Sequence, residues 1–115
     1  GFNNTFKNAR KGFRLVLKSE MNIRIHVAIA TFVVFMALFL KFSAVEFCLL
    51  LFVIGLVIVA EMLNTAIEFT LDSIYHNRYS RMVGMAKDIS AGAVMFASFI
   101  SVLVGIVLFG NKLFF

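Results

Sequence analysis

Two carboxylates and an amide stand out in an otherwise apolar part of the chain, within the segment EMLNTAIE at residues 61–68. The fourteen residues before this segment carry no charge. A helix turns by about 100° per residue, so side chains three and four positions apart share a face. Five polar side chains then lie on one face: Glu61, Asn64, Thr65, Glu68 and Asp72. Such a stripe could bind a divalent cation, pair with a cationic side chain or exchange a proton.

Glu61 is the acid of this stripe that a purely structural role explains least well. It lies within the apolar run, where an acid costs roughly 3 kcal/mol on membrane-insertion scales. Glu68 and Asp72 could instead be solvated residues beyond the membrane edge. We therefore expect a divalent cation, a cationic side chain or a proton to offset the charge.

The composition predicts a membrane protein with a single domain over residues 1–115. The chain is 62% hydrophobic and contains 15 phenylalanines and no proline. A soluble domain of this length could not bury so much apolar surface. The formal net charge of +5 then concerns orientation and anionic headgroups, and we expect no nucleic-acid partner.

Hydrophobic runs predict three membrane-spanning helices, at about residues 25–40, 45–71 and 87–110. A tight turn separates the first two, and a polar loop over 72–88 separates the last two. At helical spacing, residues 2–19 place aromatic side chains on one face and basic side chains on the other, which predicts an amphipathic helix in the membrane surface. The alternative is a solvated helix packed on a soluble partner. The predicted fold class is an all-α membrane protein with an N-terminal surface helix and three transmembrane helices.

The distribution of basic residues predicts the orientation in the membrane. Six basic residues precede the first span and three lie in the 72–88 loop, whereas the short turn and the C-terminal tail have one each. Basic residues favour the cytoplasmic side. The N-terminus and the 72–88 loop are therefore expected in the cytoplasm, with the C-terminus outside.

All three spans carry polar residues to the predicted cytoplasmic boundary. Besides the acidic stripe, these are Glu20, Asn22, Arg24, His26, Lys87 and Asp88. Mg²⁺ takes one or two carboxylates together with phosphate oxygens, lysine and arginine bind phosphates, and a free carboxylate can accept the proton of an alcohol. This combination favours phosphoryl transfer to a lipid.

Other interpretations remain open for this pattern. Lys87 could be an interfacial anchor, and His26 an interfacial hydrogen-bonding residue. The chain could be a small proton or cation transport subunit with Glu61 as its site, although its charges gather at one interface. It could also be a membrane scaffold, which would not need the acidic stripe.

At these residues the sequence resembles a known family. The segments EMLNTAIEFTLD and GMAKDISAGAV, with KGF and SEMNIRIH nearer the N-terminus, are similar to the signature of the prokaryotic diacylglycerol kinase and undecaprenol kinase family. The resemblance covers nearly the whole chain. It implies a homotrimeric helical bundle in the bacterial cytoplasmic membrane that uses Mg-ATP to phosphorylate the hydroxyl of a membrane lipid.

The resemblance also implies roles for individual residues. Glu61 matches the general base and Asn64 an active-site amide. Glu20 and Glu68 match the carboxylates that hold the metal and, with it, ATP. Because the family's site is composite between chains, Glu20 could serve the Glu61 of a neighbouring chain.

The remaining assignments concern the nucleotide and the lipid. Lys87 and Asp88 match a nucleotide-binding pair, and we assign Asn22 and Arg24 to lipid binding. Two loop segments could supply further nucleotide contacts: Arg78-Tyr79-Ser80, of which we favour Arg78 and Tyr79, or Tyr75-His76. The motif MNIRIH, with its His26, resembles the undecaprenol kinase branch, so undecaprenol is favoured over diacylglycerol.

Overall fold

The protein folds into four α-helices in a computed structural model that describes residues 1–76, 78 and 80–115. The helices are α1 (Phe2–Ser19), α2 (Met21–Phe39), α3 (Ala44–Tyr75) and α4 (Arg81–Phe114). By length and composition, α2, α3 and α4 could each cross a membrane. The predicted all-α class, with one N-terminal helix and three long apolar helices, is confirmed.

The α3–α4 hairpin is the largest helix–helix interface, and α2 packs mainly against α3. α3 contains 32 residues and α4 contains 34, whereas about 20 suffice to cross a bilayer. Both helices therefore extend into the segment 72–88, which the sequence predicted as a polar loop. The predicted loop was too long, since α3 ends at Tyr75 and α4 begins at Arg81. The reason is local capping, because the Oγ of Ser80 accepts a hydrogen bond from Val83 N (3.2 Å) and starts α4 there.

The junction between α1 and α2 is a single extended residue, Glu20, with φ −119° and ψ 116°. Its backbone N–H still donates to Val16 O, so α1 ends without a gap in its hydrogen bonds. Nη1 of Arg24 donates to the carbonyl oxygens of Leu17 and Lys18, at 3.3 and 3.0 Å. A cation on the last carbonyls of a helix satisfies groups that have no intrahelical partner. Arg24, assigned to lipid binding from the sequence, thus caps α1.

Hydrogen bonds cap the helices on both sides of the turn between α2 and α3. Lys41 adopts a left-handed conformation with φ 59°, and Phe42 N donates to Ala37 O (3.1 Å) while Lys41 N donates to Leu38 O (3.2 Å). These two bonds form the Schellman motif that ends many helices. Ser43 and Glu46 then form a reciprocal capping box at the start of α3.

A polar cluster fastens this turn to the C-terminal end of α4. Nζ of Lys112 lies 3.0 Å from Oε1 of Glu46 and 5.9 Å from the ring centroid of Phe42. The ring of Phe42 packs against Phe109 with centroids 4.9 Å apart.

The hydrophobic core at this end of the bundle forms around three buried residues: Ala37, Leu50 and Leu108.

Much of the apolar surface of the single chain is exposed. Examples on the three long helices are Phe35, Phe52 and Phe96, whose exposed fractions are 66%, 72% and 68%. A helix that is hydrophobic all round is buried in a large protein or in a membrane. The exposed side chains therefore fit a membrane environment, in agreement with the composition.

Replacement of Ser43 by Ala tests the capping box. We expect Ser43→Ala to lower the free energy of unfolding by about 1 kcal/mol, because the N-terminal amides of α3 lose their side-chain acceptor. The measurement is unfolding followed by circular dichroism in detergent micelles. Ser73→Ala, an exposed serine inside α3, is the matched control and should not be destabilised. Equal stability of the two variants would contradict the capping role.

Candidate active site

A polar cleft of about 240 Å³ lies where the start of α2 meets α3 and α4. The start of α2 contributes Glu20 and Asn22, and the C-terminal half of α3 contributes Glu61, Asn64 and Thr65. Its wall on α4 consists of small and apolar side chains: Ala91, Val94 and Met95. Four residues predicted as functional from the sequence therefore line one cleft within a single chain.

Glu61 is the buried acid of this cleft. It is 7% exposed, although its neighbours along α3 are apolar. Its Oε1 lies 2.7 Å from Nδ1 of His26 on α2, whereas its Oε2 is buried and makes no hydrogen bond. A buried carboxylate oxygen without a partner is costly. Oε2 is therefore an unsatisfied hydrogen-bond acceptor on a residue that lines the cleft.

A short hydrogen-bond chain fixes Asn64 beside Glu61. The hydroxyl of Ser90 on α4 donates to Asn64 Oδ1, and Asn64 Nδ2 donates to Glu68 Oε1 at 3.3 Å. Asn64 is thus oriented from both ends of its amide. Ser90 is buried and was not among the site residues predicted from the sequence. The available signal was its position three residues after Lys87, which puts both on one face of α4.

Lys87, assigned to the nucleotide, pairs with the end of α3. Its Nζ lies 2.7 Å from Oδ1 of Asp72, with both side chains a little over one-third exposed. Exposed pairs of this kind contribute little to stability, so the ammonium group can exchange Asp72 for a phosphate at small cost. Asp88 is exposed on the next position.

The remaining nucleotide assignments lie at the connection between α3 and α4. Arg78 is exposed there, and so are Tyr75 and His76 of the alternative segment. Tyr79 lies outside the described residues. His76 ends α3 in a left-handed conformation, with φ 51°.

The predicted metal carboxylates occupy different parts of the site. Glu20 lines the cleft, whereas Glu68 lies outside that lining and accepts from Asn64. Within the described ranges, no three His, Cys, Asp or Glu side chains converge on a common point. Mg²⁺ commonly uses one or two carboxylates and completes its coordination with phosphate oxygens. The carboxylate oxygens of Glu20 and Glu68 are ligands of the type that Mg²⁺ takes.

Comparison with known proteins gives the family. The family model for prokaryotic diacylglycerol kinase matches residues 7–109. The chain belongs to this family. Because members of this family are lipid kinases, the protein is a lipid kinase. The alternative interpretations as a transport subunit or a membrane scaffold are therefore set aside.

Relatives of this lipid kinase carry two names. It is 33% identical over 112 residues to the undecaprenol kinase of Bacillus subtilis (strain 168), covering 97% of this chain and 90% of that protein. It is 33% identical over 101 residues to a diacylglycerol kinase of Synechocystis, covering 88% of this chain and 58% of that longer protein. It is 32% identical over 93 residues to the diacylglycerol kinase of Escherichia coli (strain K12), covering 81% and 75%.

Ser90→Ala tests the support of Asn64 in this lipid kinase. The variant leaves Asn64 Oδ1 without its donor in a partly buried position, which should lower the free energy of unfolding by about 1–3 kcal/mol. The measurement is chemical unfolding in micelles. Ser98→Ala, a half-buried serine on the same helix, is the control and should have a smaller effect. If Ser90→Ala is as stable as the control or more stable, Ser90 does not support Asn64 as assigned.

Proposed function

We propose that this chain transfers the γ-phosphate of ATP to the hydroxyl of a membrane lipid, in a reaction that depends on Mg²⁺. The observation that carries the proposal is the cleft that joins Glu20 and Asn22 to Glu61 and Asn64. It combines a buried carboxylate with an unpartnered oxygen and a second, more accessible acid. Family membership supports the same reaction class.

In this proposal Glu61 is the general base. The lipid hydroxyl reaches Oε2 of Glu61 from the apolar side, and its proton passes to that oxygen as the hydroxyl oxygen bonds to the γ-phosphorus. The bond between the γ-phosphorus and the β,γ-bridging oxygen breaks, and ADP leaves. The proton is later released from Glu61 to water. Asn64, fixed by Ser90 and Glu68, orients groups beside the reacting hydroxyl.

We assign nucleotide binding to charged side chains at the same end of the bundle as the cleft. Glu20 and Glu68 would hold Mg²⁺ jointly with the phosphates, and the bound ion would neutralise charge on the phosphate oxygens. Lys87 would exchange its contact with Asp72 for a phosphate. Asp88 and the α3–α4 connection complete the proposed nucleotide site.

We propose undecaprenol as the preferred lipid, with diacylglycerol as the alternative within the family. The relatives carry both substrate names at nearly equal identity, so overall identity does not choose between them. The preference is based on the MNIRIH motif, whose His26 contacts Glu61. We also propose a homotrimer and a cytoplasmic N-terminus, which the resemblance and the basic residues support.

A side-by-side assay tests the substrate. Purified protein in mixed micelles receives labelled ATP, Mg²⁺ and either undecaprenol or diacylglycerol. We expect label in both lipids, with the larger kcat/KM for undecaprenol. Higher efficiency with diacylglycerol would reverse the preference, and label in neither lipid would overturn the proposed function.

Glu61→Gln tests the base. The substitution keeps the shape of the side chain but removes its ability to accept a proton, so turnover at saturating substrates should fall by ~10² to 10⁴. ATP affinity, measured in parallel by equilibrium binding, should change little. Glu46→Gln, at the opposite end of the bundle, is the matched control. Turnover of Glu61→Gln within a few-fold of the parent would remove Glu61 from catalysis.

Glu68→Gln tests the metal assignment. Loss of the charge should weaken Mg-ATP binding by about tenfold or more, because hydrogen bonds and contacts to charged groups contribute about 1.5–3 kcal/mol. Binding of ATP is titrated over a range of Mg²⁺ concentrations, with the fold checked by circular dichroism. Nucleotide affinity and Mg²⁺ dependence equal to those of the parent would show that Glu68 does not hold the metal.

A further inference from the structure

His26 stands between two cavities of different character. On one side lies the polar cleft that Glu61 lines. On the other lies an apolar cavity of about 310 Å³ between α2, α3 and α4, with His26 in its lining. The other lining residues of that cavity include Ile29, Val57 and Phe109. Through this contact, a residue that lines the apolar cavity touches a residue that lines the polar cleft.

The geometry of this contact leaves the two carboxylate oxygens in different states. Oε1 lies 2.7 Å from Nδ1 of His26, and Oε2 is buried without a partner. Nδ1 makes no aligned hydrogen bond in the present ring orientation. Because χ2 of histidine is a broad torsion, a rotation of the ring can direct the Nδ1–H bond at Oε1. The imidazole then holds one oxygen and leaves the other available.

We propose that His26 is a positioning residue for Glu61. It fixes Oε1, so that Oε2 faces the place where the lipid hydroxyl reacts. The inference extends the proposed kinase reaction and rests on Glu61 as its base. A carboxylate in apolar surroundings needs a partner of this kind, since an isolated charge there is costly.

A simple packing role gives different expectations. His26 is 34% exposed at its side chain and lines a cavity of mostly apolar residues. If it only filled space there, an aromatic ring of similar size would replace it without loss. If it positions Glu61, a side chain with an N–H near the place of Nδ1 is required.

Two substitutions separate these roles. His26→Phe keeps a ring and removes the donor, whereas His26→Asn keeps a side-chain N–H close to the place of Nδ1. We expect His26→Phe to lower kcat about 10- to 100-fold, the loss that is typical when a partner orienting a metal ligand is replaced, with the KM for ATP unchanged. His26→Asn should recover most of that loss. Equal activity of His26→Phe and the parent would overturn the proposal, and so would equal losses in the two variants.

A double-substitution cycle tests whether His26 acts through Glu61. Residues that act as a unit are strongly non-additive. In the Glu61→Gln background, His26→Phe should change the residual turnover less than twofold. A further loss as large as that in the parent background would assign His26 a separate role and overturn the proposal.

A spectroscopic readout is independent of catalysis. The chain has two histidines, so a His76→Gln protein labelled with ¹⁵N-histidine reports on His26 alone. Glu61→Gln should shift the Nδ1 resonance of His26, and Glu46→Gln should not. An unchanged resonance would overturn the pairing. A parent without kinase activity but with this shift would overturn the proposed function and retain the contact.

Discussion

Burial of the Glu61 carboxylate inside an apolar helix is the constraint on which the rest of the structure depends. An acid at such a position costs roughly 3 kcal/mol on insertion scales, so its surroundings must supply partners or a function. α2 brings His26 to Oε1. Oε2 is buried without a hydrogen-bond partner, and Glu61 lines the polar cleft. The bend at Glu20 brings a second carboxylate to the same cleft, since it ends α1 and starts α2 beside α3.

The antiparallel packing of α3 and α4 fixes the position of this cleft along the bundle. Polar contacts connect the two helices at three levels: Lys87 with Asp72, Ser90 with Asn64, and Lys112 with Glu46. The first two lie near the cleft, and the third fastens the opposite end. The cleft and the contact of Lys112 with Glu46 are therefore separated by most of the helix length. Most residues between them are apolar, which suits a membrane interior.

This arrangement suits a reaction between a lipid and a charged co-substrate. A lipid alcohol stays with its chain in the apolar region, whereas a nucleotide remains in water. Glu61 lines the polar cleft and contacts His26, which lines the neighbouring apolar cavity. Few polar groups suffice, because phosphoryl transfer requires mainly positioning and charge stabilisation. The small size of the chain is compatible with that requirement.

The amino-acid sequence by itself determined the helical class, the three long apolar helices and the chemical types in the site. Those properties follow from local composition and spacing, as in the apolar run before Glu61 and the stripe it shares with Asn64 and Glu68. Tertiary structure alone decided which groups meet. The contact of His26 with Glu61 and the hydrogen bond from Ser90 to Asn64 depend on how the helices rotate and align. A shift of one residue turns a side chain by about 100°, and no local pattern fixes that register between helices distant in sequence.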